Sequence, residues 1–422
     1  MPEDKVVSAR RGSFKRAVSL VLTLVLVAVL TQSAVWRYRA SRSTAGQQLS
    51  AKEPIGALAF SHDGSVLASV GGADDAPGEI VLWDVNRRQA VRTMRGHRRP
   101  ISCVAFSPDD TMMATGSLDG EVRLWNRATG ACLRIFAPQE EDFFSHGGSS
   151  SRPNNAPPFF SSTLRTDKGT PFFSLISDVA FSADGKTLYS GNWDGVLAAW
   201  DVARGTLRSS LQLAQGTTMK WKFSPGTKWV ATNNAAFQSG TVSNAQGRTV
   251  VAATLFDVER SLKEGTNTSN FLRHQKSRAE QNEYLGNVYD PYAFAFSPDE
   301  STLIVSAPEY DVKGKLLGFG LKSLDVQTRT VLWETHNMAW RVSGIAFSKD
   351  GQQLVSLTKN GLRLWQAKDG RLLKEISDNS VIYDISQNNE QNAIYAAVAL
   401  SPDGTMAAST KGSAIYLWKI SG

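Results

Sequence analysis

Seven copies of a short phrase run along this 422-residue chain and limit it to repeat architectures. Each copy is an aromatic residue or leucine, then serine, then turn-forming residues, and alternating apolar residues precede it as in a β-strand. The copies begin at Phe60, Phe106, Phe181, Phe223, Phe296, Phe347 and Leu400. A second phrase related to Leu-Trp-Asp follows each one, beginning at Leu82, Leu124, Ala199, Leu255, Ser323, Leu364 and Leu417.

One repeat, residues 101–136, reads as four short antiparallel strands. Pro and Asp end its first apolar run, and Asp119-Gly120 is a hairpin signal between the second and third runs. A lone sheet of this kind has two apolar faces that it cannot cover, so neighbouring copies must stack face to face, and a ring leaves no exposed end. We therefore predict an all-β fold, a seven-bladed β-propeller over residues 47–422.

The second copy resembles a WD40 repeat. It has the Gly-His pair, the Ser-x-Asp-Gly turn and the terminal Leu-Trp of that family, at Gly96, His97, Ser117, Asp119, Gly120, Leu124 and Trp125. The resemblance implies a buried hydrogen-bonded network of His97, Ser117, Asp119 and Trp125 that fixes the sheet. The third copy keeps the matching residues Ser190, Asp194 and Trp200, and the other copies keep fewer.

The seventh copy ends shortly after Leu417-Trp418, so its third strand is present and its fourth is missing. Residues 47–52, just before the first repeat, are unassigned and of suitable length. We predict that they pair with the strand over residues 414–420. This pairing would close the ring with residues from both ends of the repeat region in one sheet.

Because the strands of a blade alternate in direction, each connection can be assigned to one side of the ring. The turn face carries the connections between first and second strands and between third and fourth strands. The link face carries the connections between second and third strands and the links between blades. We predict that six insertions all lie on the link face: residues 71–79, 233–249, 307–315, 137–174, 261–290 and 378–392. One enlarged face is typical of a recognition surface.

The residues before the repeats have a different composition. A basic tail over residues 1–16 precedes an uncharged apolar run over residues 17–36, and a linker over residues 37–46 follows. Twenty helical residues match a hydrocarbon layer of roughly 30 Å, so we predict a single-pass transmembrane helix, with a cleaved signal peptide as the alternative. Five basic residues precede the run and three follow closely, which favours a cytoplasmic N-terminus and a propeller outside the cytoplasm.

The net charge of +7 does not indicate a nucleic-acid partner. The first 42 residues carry eight basic and two acidic side chains, whereas the other 380 carry 38 and 37. The propeller is therefore almost electrically balanced, and the basic excess flanks the apolar run.

The sequence contains no recognisable catalytic, metal or cofactor motif. Its five histidines are scattered and have no partners at metal-ligand spacing. Aspartates recur at one turn position, which turn chemistry explains without a ligand. These are Asp63, Asp109, Asp184, Asp299, Asp350 and Asp403. We expect Cys103 and Cys132 to be separate buried thiols, and we predict no enzyme activity and no small-molecule substrate.

Residues at the inner end of each blade link are the candidate contacts for a protein partner, because Tyr, Trp and Arg dominate interface energetics. They are Arg98, Arg99, Lys220, Trp221, Tyr292, Trp340, Arg341 and Tyr395. The leading hypothesis is a membrane-tethered, non-enzymatic interaction platform. Two alternatives stay open: an extracytoplasmic propeller enzyme resembling lactonases or quinoproteins, and an assembly scaffold that faces the cytoplasm.

Overall fold

The computed structural model describes residues 45–73, 76–136, 175–193, 195–213, 220–234, 252–264, 284–289, 293–310, 316–336, 338–358, 361–377 and 397–420. Within these ranges the chain forms 28 β-strands in seven four-stranded sheets, together with one short helix. The predicted all-β, seven-bladed propeller is confirmed.

The first strand, β1 (Ala45–Ser50), precedes the first complete blade. Blade 1 contains β2 (Ile55–Phe60), β3 (Val66–Gly71), β4 (Glu79–Asp84) and β5 (Gln89–Arg95). Blade 2 contains β6 (Ile101–Phe106), β7 (Met112–Ser117), β8 (Val122–Asn126) and β9 (Cys132–Phe136). Blade 3 contains β10 (Ile176–Phe181), β11 (Thr187–Asn192), β12 (Val196–Asp201) and β13 (Leu207–Gln212).

Blade 4 contains β14 (Lys220–Phe223), β15 (Trp229–Asn234), β16 (Ala252–Asp257) and β17 (Tyr284–Tyr289), with helix α1 (Val258–Glu264) after β16. Blade 5 contains β18 (Ala293–Phe296), β19 (Thr302–Tyr310), β20 (Leu316–Asp325) and β21 (Val331–Glu334). Blade 6 contains β22 (Val342–Phe347), β23 (Gln353–Thr358), β24 (Gly361–Gln366) and β25 (Leu372–Ser377). Blade 7 contains β26 (Val398–Leu400), β27 (Met406–Lys411) and β28 (Ala414–Lys419), and β1 completes it.

The ring closes through the sheet of blade 7. Its strand order is β1-β28-β27-β26, so the predicted seam is confirmed, although β1 begins two residues earlier than we predicted. The first strand of each blade contacts the first strand of the next, and β26 contacts β2. An apolar cluster that includes Leu49, Leu67 and Ile415 joins blade 7 to blade 1. The first strands therefore surround the centre of the ring.

The second strands lie deepest in the protein. In β3, β7 and β23, five of the six residues are buried, because each sheet is covered by a neighbouring blade on both faces. The outer strands behave differently: in β9 only Phe136 is buried. Each blade therefore has a buried centre and a solvent-facing outer edge.

The pair of strands that flanks one predicted insertion was assigned wrongly. We predicted that residues 261–290 link two blades, but Tyr284–Tyr289 is the fourth strand of blade 4. The segment between β16 and β17 therefore connects a third strand to a fourth. Helix α1 follows β16 on the turn face, and residues 265–283 lie outside the described residues. The alternation in the segment YLGNVY is too weak to identify a strand by pattern alone. The strands that flank the other five predicted insertions end on the link face, and residues 137–174, 235–249 and 378–392 lie outside the described residues.

Within the described residues, no helix is long and apolar enough to cross a membrane. The transmembrane helix predicted over residues 17–36 and the basic tail over residues 1–16 lie outside the described residues, as does most of the linker.

Candidate interaction surfaces

Four side chains of blade 2 form one continuous hydrogen-bonded chain. The indole Nε1 of Trp125 donates to Thr115 Oγ1 at 2.9 Å, and His97 Nε2 lies 2.8 Å from the same oxygen. His97 Nδ1 lies 3.0 Å from a carboxylate oxygen of Asp119. His97, Thr115 and Trp125 are buried, so their polar atoms depend on one another for partners.

Asp119 anchors this chain in its ionised form. Burial opposes ionisation, but hydrogen bonds from His97 and from the backbone amides of Glu121 and Arg98 outweigh it and keep the pKa of Asp119 below its ordinary value. An ionised carboxylate only accepts, so His97 Nδ1 donates to it, and in a neutral imidazole Nε2 accepts from the Thr115 hydroxyl. With this imidazole, Trp125 donates to Thr115, Thr115 to His97, and His97 to Asp119.

The prediction that Ser117 supplies the hydroxyl of this network is wrong. The Ser117 Oγ donates to two backbone carbonyl oxygens, at 2.9 and 3.0 Å, and accepts the amide of Asp119. Thr115 and Ser117 are two residues apart on one strand, so both point to the same side of the sheet and the motif alone does not separate them. Alignment with the third copy distinguishes the two residues. Ser190 of that copy accepts from Trp200 Nε1 at 2.9 Å, and Ser190 aligns with Thr115.

Four other blades keep the indole-to-hydroxyl hydrogen bond without a described histidine. The pairs are Trp83 with Ser69, Trp200 with Ser190, Trp365 with Ser356 and Trp418 with Ser409, at 2.8–2.9 Å. Blade 4 has Phe256 at the tryptophan position and blade 5 has Leu324. The hydrogen bond is therefore a property of five blades, and packing replaces it in two.

A group of metal-ligand type lies beside the network. Ligand-type atoms of His97, Asp119 and Glu121 are within 4.8 Å of one another. However, the Glu121 carboxylate binds Arg98 Nη2 and Arg123 Nη2, each at 2.7 Å. Two guanidinium groups disfavour a cation at this distance, and the remaining donor atoms already have partners. The group therefore orients Arg98 and Arg123, and we do not interpret it as a metal centre.

The predicted contact residue Trp221 has a packing role. It is 4% exposed, its Nε1 donates to the Asn192 carbonyl at 2.8 Å, and its ring lies where a Cβ on Gly191 would come within 2.3 Å. A side chain enclosed in this way does not reach a partner. Tyr292 and Tyr395 lie outside the described residues.

Five predicted contact residues are at least partly exposed and lie at the link-face ends of the blades: Arg98, Arg99, Lys220, Trp340 and Arg341. Arg98 is held by Glu121, and its side chain remains 74% exposed. Surrounding protein atoms desolvate the Lys220 ammonium, and nearby Arg341 repels it, so the pKa of Lys220 is lowered. Lys220 begins the first strand of blade 4, and Arg341 directly precedes the first strand of blade 6.

In six blades, the turn between the first and second strands is held by an aspartate carboxylate. We call this a carboxylate turn. In each, a serine hydroxyl donates to an aspartate at 2.5–2.6 Å, and the aspartate accepts the amide two residues further on. The serine hydrogen bond is the largest cause that lowers the pKa of all six aspartates, and the pKa of Asp63 falls to about 2. The prediction that turn chemistry accounts for these aspartates is confirmed.

Blade 4 lacks this aspartate, and blade 5 supplies a carboxylate in its place. Gly226 occupies the aspartate position, and Glu300 Oε1 accepts from its amide at 2.6 Å and from the Ser224 hydroxyl. The equivalent residue of blade 2, Asp110, likewise accepts two amides from the turn of blade 1, at 3.0 and 3.1 Å. Short hydrogen-bonded turns therefore connect neighbouring blades on this face.

The two cysteines have different environments. Cys103 is buried, and burial raises the pKa of its thiol to about 12. Cys132 is exposed on outer strand β9, contrary to the prediction that both are buried. Both are free thiols.

A family model described as WD domain, G-beta repeat, matches residues 88–126 and 162–201. These ranges end in the third strands of blades 2 and 3, at Asn126 and Asp201. The match, together with seven four-stranded sheets, establishes that the chain carries WD40 repeats and folds as a seven-bladed propeller.

Several known proteins are similar to parts of this chain at 23–30% identity. Periodic tryptophan protein 2 from Arabidopsis thaliana is 23% identical over 78% of this chain and 29% of its own length. Apoptotic protease-activating factor 1 from Homo sapiens is 30% identical over 38% of this chain and 10% of its own length. The guanine nucleotide-binding protein subunit beta from Oryza sativa subsp. indica is 30% identical over 32% of this chain and 28% of its own length. The chain thus covers less than a third of each of these relatives.

Proposed function

We propose that this WD40-repeat propeller is a membrane-anchored, non-enzymatic platform that binds protein partners through its link face. The asymmetry of the ring carries the proposal. Five insertions join the strands on the link face, whereas six of the seven turns between first and second strands keep the same short carboxylate turn on the other face. Surface loops on a rigid scaffold are the usual place for recognition.

The chemistry at the link-face end of the channel supports a protein partner. Arg98, Lys220 and Arg341 supply positive charge there, and Trp340 supplies a partly exposed aromatic side chain. Arginine and tryptophan are enriched among the residues that carry interface affinity. We expect the partner to present carboxylates or carbonyl oxygens toward the channel.

The proposal that the chain is not an enzyme rests on how its clustered polar groups are used. The network of blade 2 fixes a sheet, the turn aspartates hold backbone amides, and Glu121 holds two arginines. Elemental analysis and an absorption spectrum of the purified protein test this part. We expect no stoichiometric metal or chromophore; either one would favour the lactonase-like or quinoprotein-like alternative.

The membrane anchor is the second part of the proposal. The apolar run over residues 17–36 precedes β1, and β1 is the fourth strand of its blade, so the chain enters the ring from the turn face. We propose that the propeller lies outside the cytoplasm, because five basic residues precede the apolar run and three follow closely. Deletion of residues 1–36 should release the protein from the membrane fraction, and protease added to intact cells should cleave the full chain. Protection from protease would favour the cytoplasm-facing scaffold.

Two matched deletions test the role of the link face. In one variant a short Gly-Ser linker replaces residues 137–174, and in the control a similar linker replaces residues 265–283 on the turn face. Full-length proteins are used for affinity capture, and captured partners are quantified by mass spectrometry. We expect the link-face deletion to lose partners that the turn-face deletion retains. Retention by the first variant and loss by the second would contradict the proposal.

A further inference from the structure

A groove of about 660 Å³ opens between blades 2 and 3 on the turn face. Its floor is apolar and consists of Met112, Leu124, Leu133 and Val202. Leu124 and Val202 belong to the buried core shared by the two blades, whereas Leu133 is 38% exposed on outer strand β9. The groove therefore exposes the edge of an apolar core at a blade boundary.

The rim of this groove is basic. Arg134, Lys186, Arg204 and Arg208 line it with Asp201 as the single acid among the lining residues. Asp201 Oδ2 accepts from Arg204 Nη1 at 3.2 Å and from Arg208 Nη2 at 2.9 Å. The Asp201 side chain is 6% exposed, whereas those of Arg204 and Arg208 are 79% and 43% exposed. The carboxylate thus orients the two guanidinium groups from below and leaves them facing solvent.

Contacts across the blade boundary hold the walls of the groove together. Arg134 Nη2 of blade 2 donates to the Ala203 carbonyl of blade 3 at 3.3 Å. Its side chain lies over Gly205, where a Cβ would come within 3.0 Å of Arg134 Cδ, and Gly205 has a φ of 76°. A ligand would therefore meet a preformed site, which lowers the entropic cost of binding.

The charge of this rim varies from one blade boundary to another. At the boundary between blades 1 and 2, the positions equivalent to Lys186 and Arg204 hold Thr111 and Thr129. Asp110 lies there in place of a glycine and binds the turn of the preceding blade. Near the groove, Asp184 adds one carboxylate, but it already holds the Lys186 amide and the Ser182 hydroxyl. At the boundary between blades 3 and 4 the same two positions hold Lys228 and Arg260, so basic residues recur at some boundaries and are absent from others.

We propose that the groove binds an acidic peptide segment of a partner protein, with apolar side chains on the floor and carboxylates on the rim. This site is on the face opposite the link face, so it does not depend on the function proposed above. Charge complementarity selects the acidic residues, and the exposed edge of the core selects apolar ones. A nucleic-acid backbone or an anionic lipid headgroup would satisfy the rim but leave the floor exposed, so a peptide fits both parts better.

Selection from a random peptide library on the full-length protein, followed by fluorescence anisotropy of the selected peptides, tests the proposal. We expect the peptides to combine acidic and apolar residues. The double variant Lys186→Glu with Arg204→Glu should weaken their binding by at least about tenfold, because it reverses two charges of the rim. Leu133→Ser should also weaken binding while leaving its salt dependence unchanged, because it alters only the floor.

Arg87→Glu provides a matched control. Arg87 has the turn position of Arg204 in blade 1, pairs with Asp84 at 2.8 Å, and its side chain is 74% exposed. The control and the double variant should unfold at the same temperature, so that they differ only in binding. Unchanged peptide affinity in the control would then support the proposal. Equal affinity of the double variant and the wild type would overturn it, as would selected peptides without acidic residues. Displacement of the peptides by single-stranded DNA or anionic vesicles at similar concentration would also overturn it.

Discussion

Blades 2 and 4 have the same four-stranded topology, but different interactions hold them in place. Blade 2 contains a complete chain of buried hydrogen bonds and its own turn aspartate, Asp109. Blade 4 has Phe256 at the tryptophan position and no turn aspartate, and Glu300 of blade 5 binds its turn. In a closed ring each blade has two neighbours, so a blade with a weak repeat sequence can rely on contacts from the next one.

The first prediction concerns blade 2, which has the complete chain of buried hydrogen bonds, and it has the largest expected effect. Thr115→Val leaves two buried nitrogens without a partner, those of His97 and Trp125, and we expect a loss of about 3 kcal/mol in the free energy of unfolding. Ser190→Ala in blade 3 removes the partner of Trp200 alone and should cost about 1.5 kcal/mol. Urea denaturation measures both, and equal losses would show that His97 adds nothing to the network.

The second prediction converts the turn of blade 4 to the form of the other blades. Glu300→Gly removes the carboxylate, and we expect a net cost of about 1 kcal/mol, because glycine also relieves the backbone at a φ of 60°. Gly226→Asp adds one beside Glu300, whose Oε1 lies 3.0 Å from the Cβ position, and should cost about 1 kcal/mol through like-charge repulsion. The double variant gives the turn of blade 4 its own aspartate and gives the turn of blade 5 the Asp-Gly pair found in blades 1, 3, 6 and 7, so it should regain wild-type stability. Additive losses in this cycle would contradict the assigned role of Glu300.

The third prediction concerns acid and has the smallest effect. The pKa of Asp63 is lowered from 3.8 to about 2, mainly by the Ser61 hydroxyl, so its contribution is complete above pH 4 and is lost as pH falls toward 2. Because Asp63 lies near solvent, which screens the effect, Asp63→Asn should cost only about 0.5 kcal/mol at neutral pH. The difference in Tm between variant and wild type should narrow from pH 4 to pH 2. A constant difference in Tm would show that ionisation of Asp63 does not stabilise the turn.

Features that depend on local chemistry could be predicted from the sequence. The seven turn phrases determined the number of blades, because each marks the end of a first strand and must recur once per sheet. The incomplete seventh copy identified the closing strand, since a sheet with a missing strand must find one elsewhere. The turn aspartates were also predictable, because their partners lie within two residues.

Features that depend on other parts of the ring could not be predicted. Glu300 binds a turn 74 residues away, and no sequence pattern in blade 4 indicates that another blade supplies the carboxylate for this turn. The strand over residues 284–289 is weakly patterned, and its place as the fourth strand depends on an available edge in blade 4. The role of Thr115 could have been predicted by aligning the copies with each other, because this alignment places it at the position of the hydroxyl residues that accept from tryptophan in other blades.

Hydrogen–deuterium exchange on the complex captured from cells would test most directly whether the two faces have different roles. We expect the partner to protect amides at the link-face ends of the first strands, in residues 98–101 and 340–342, and in the connections between second and third strands. Amides of the turns at residues 61–65 and 401–405 should exchange as in the free protein. Protection confined to those turns would show that the partner binds the turn face and that the link face is not the recognition surface.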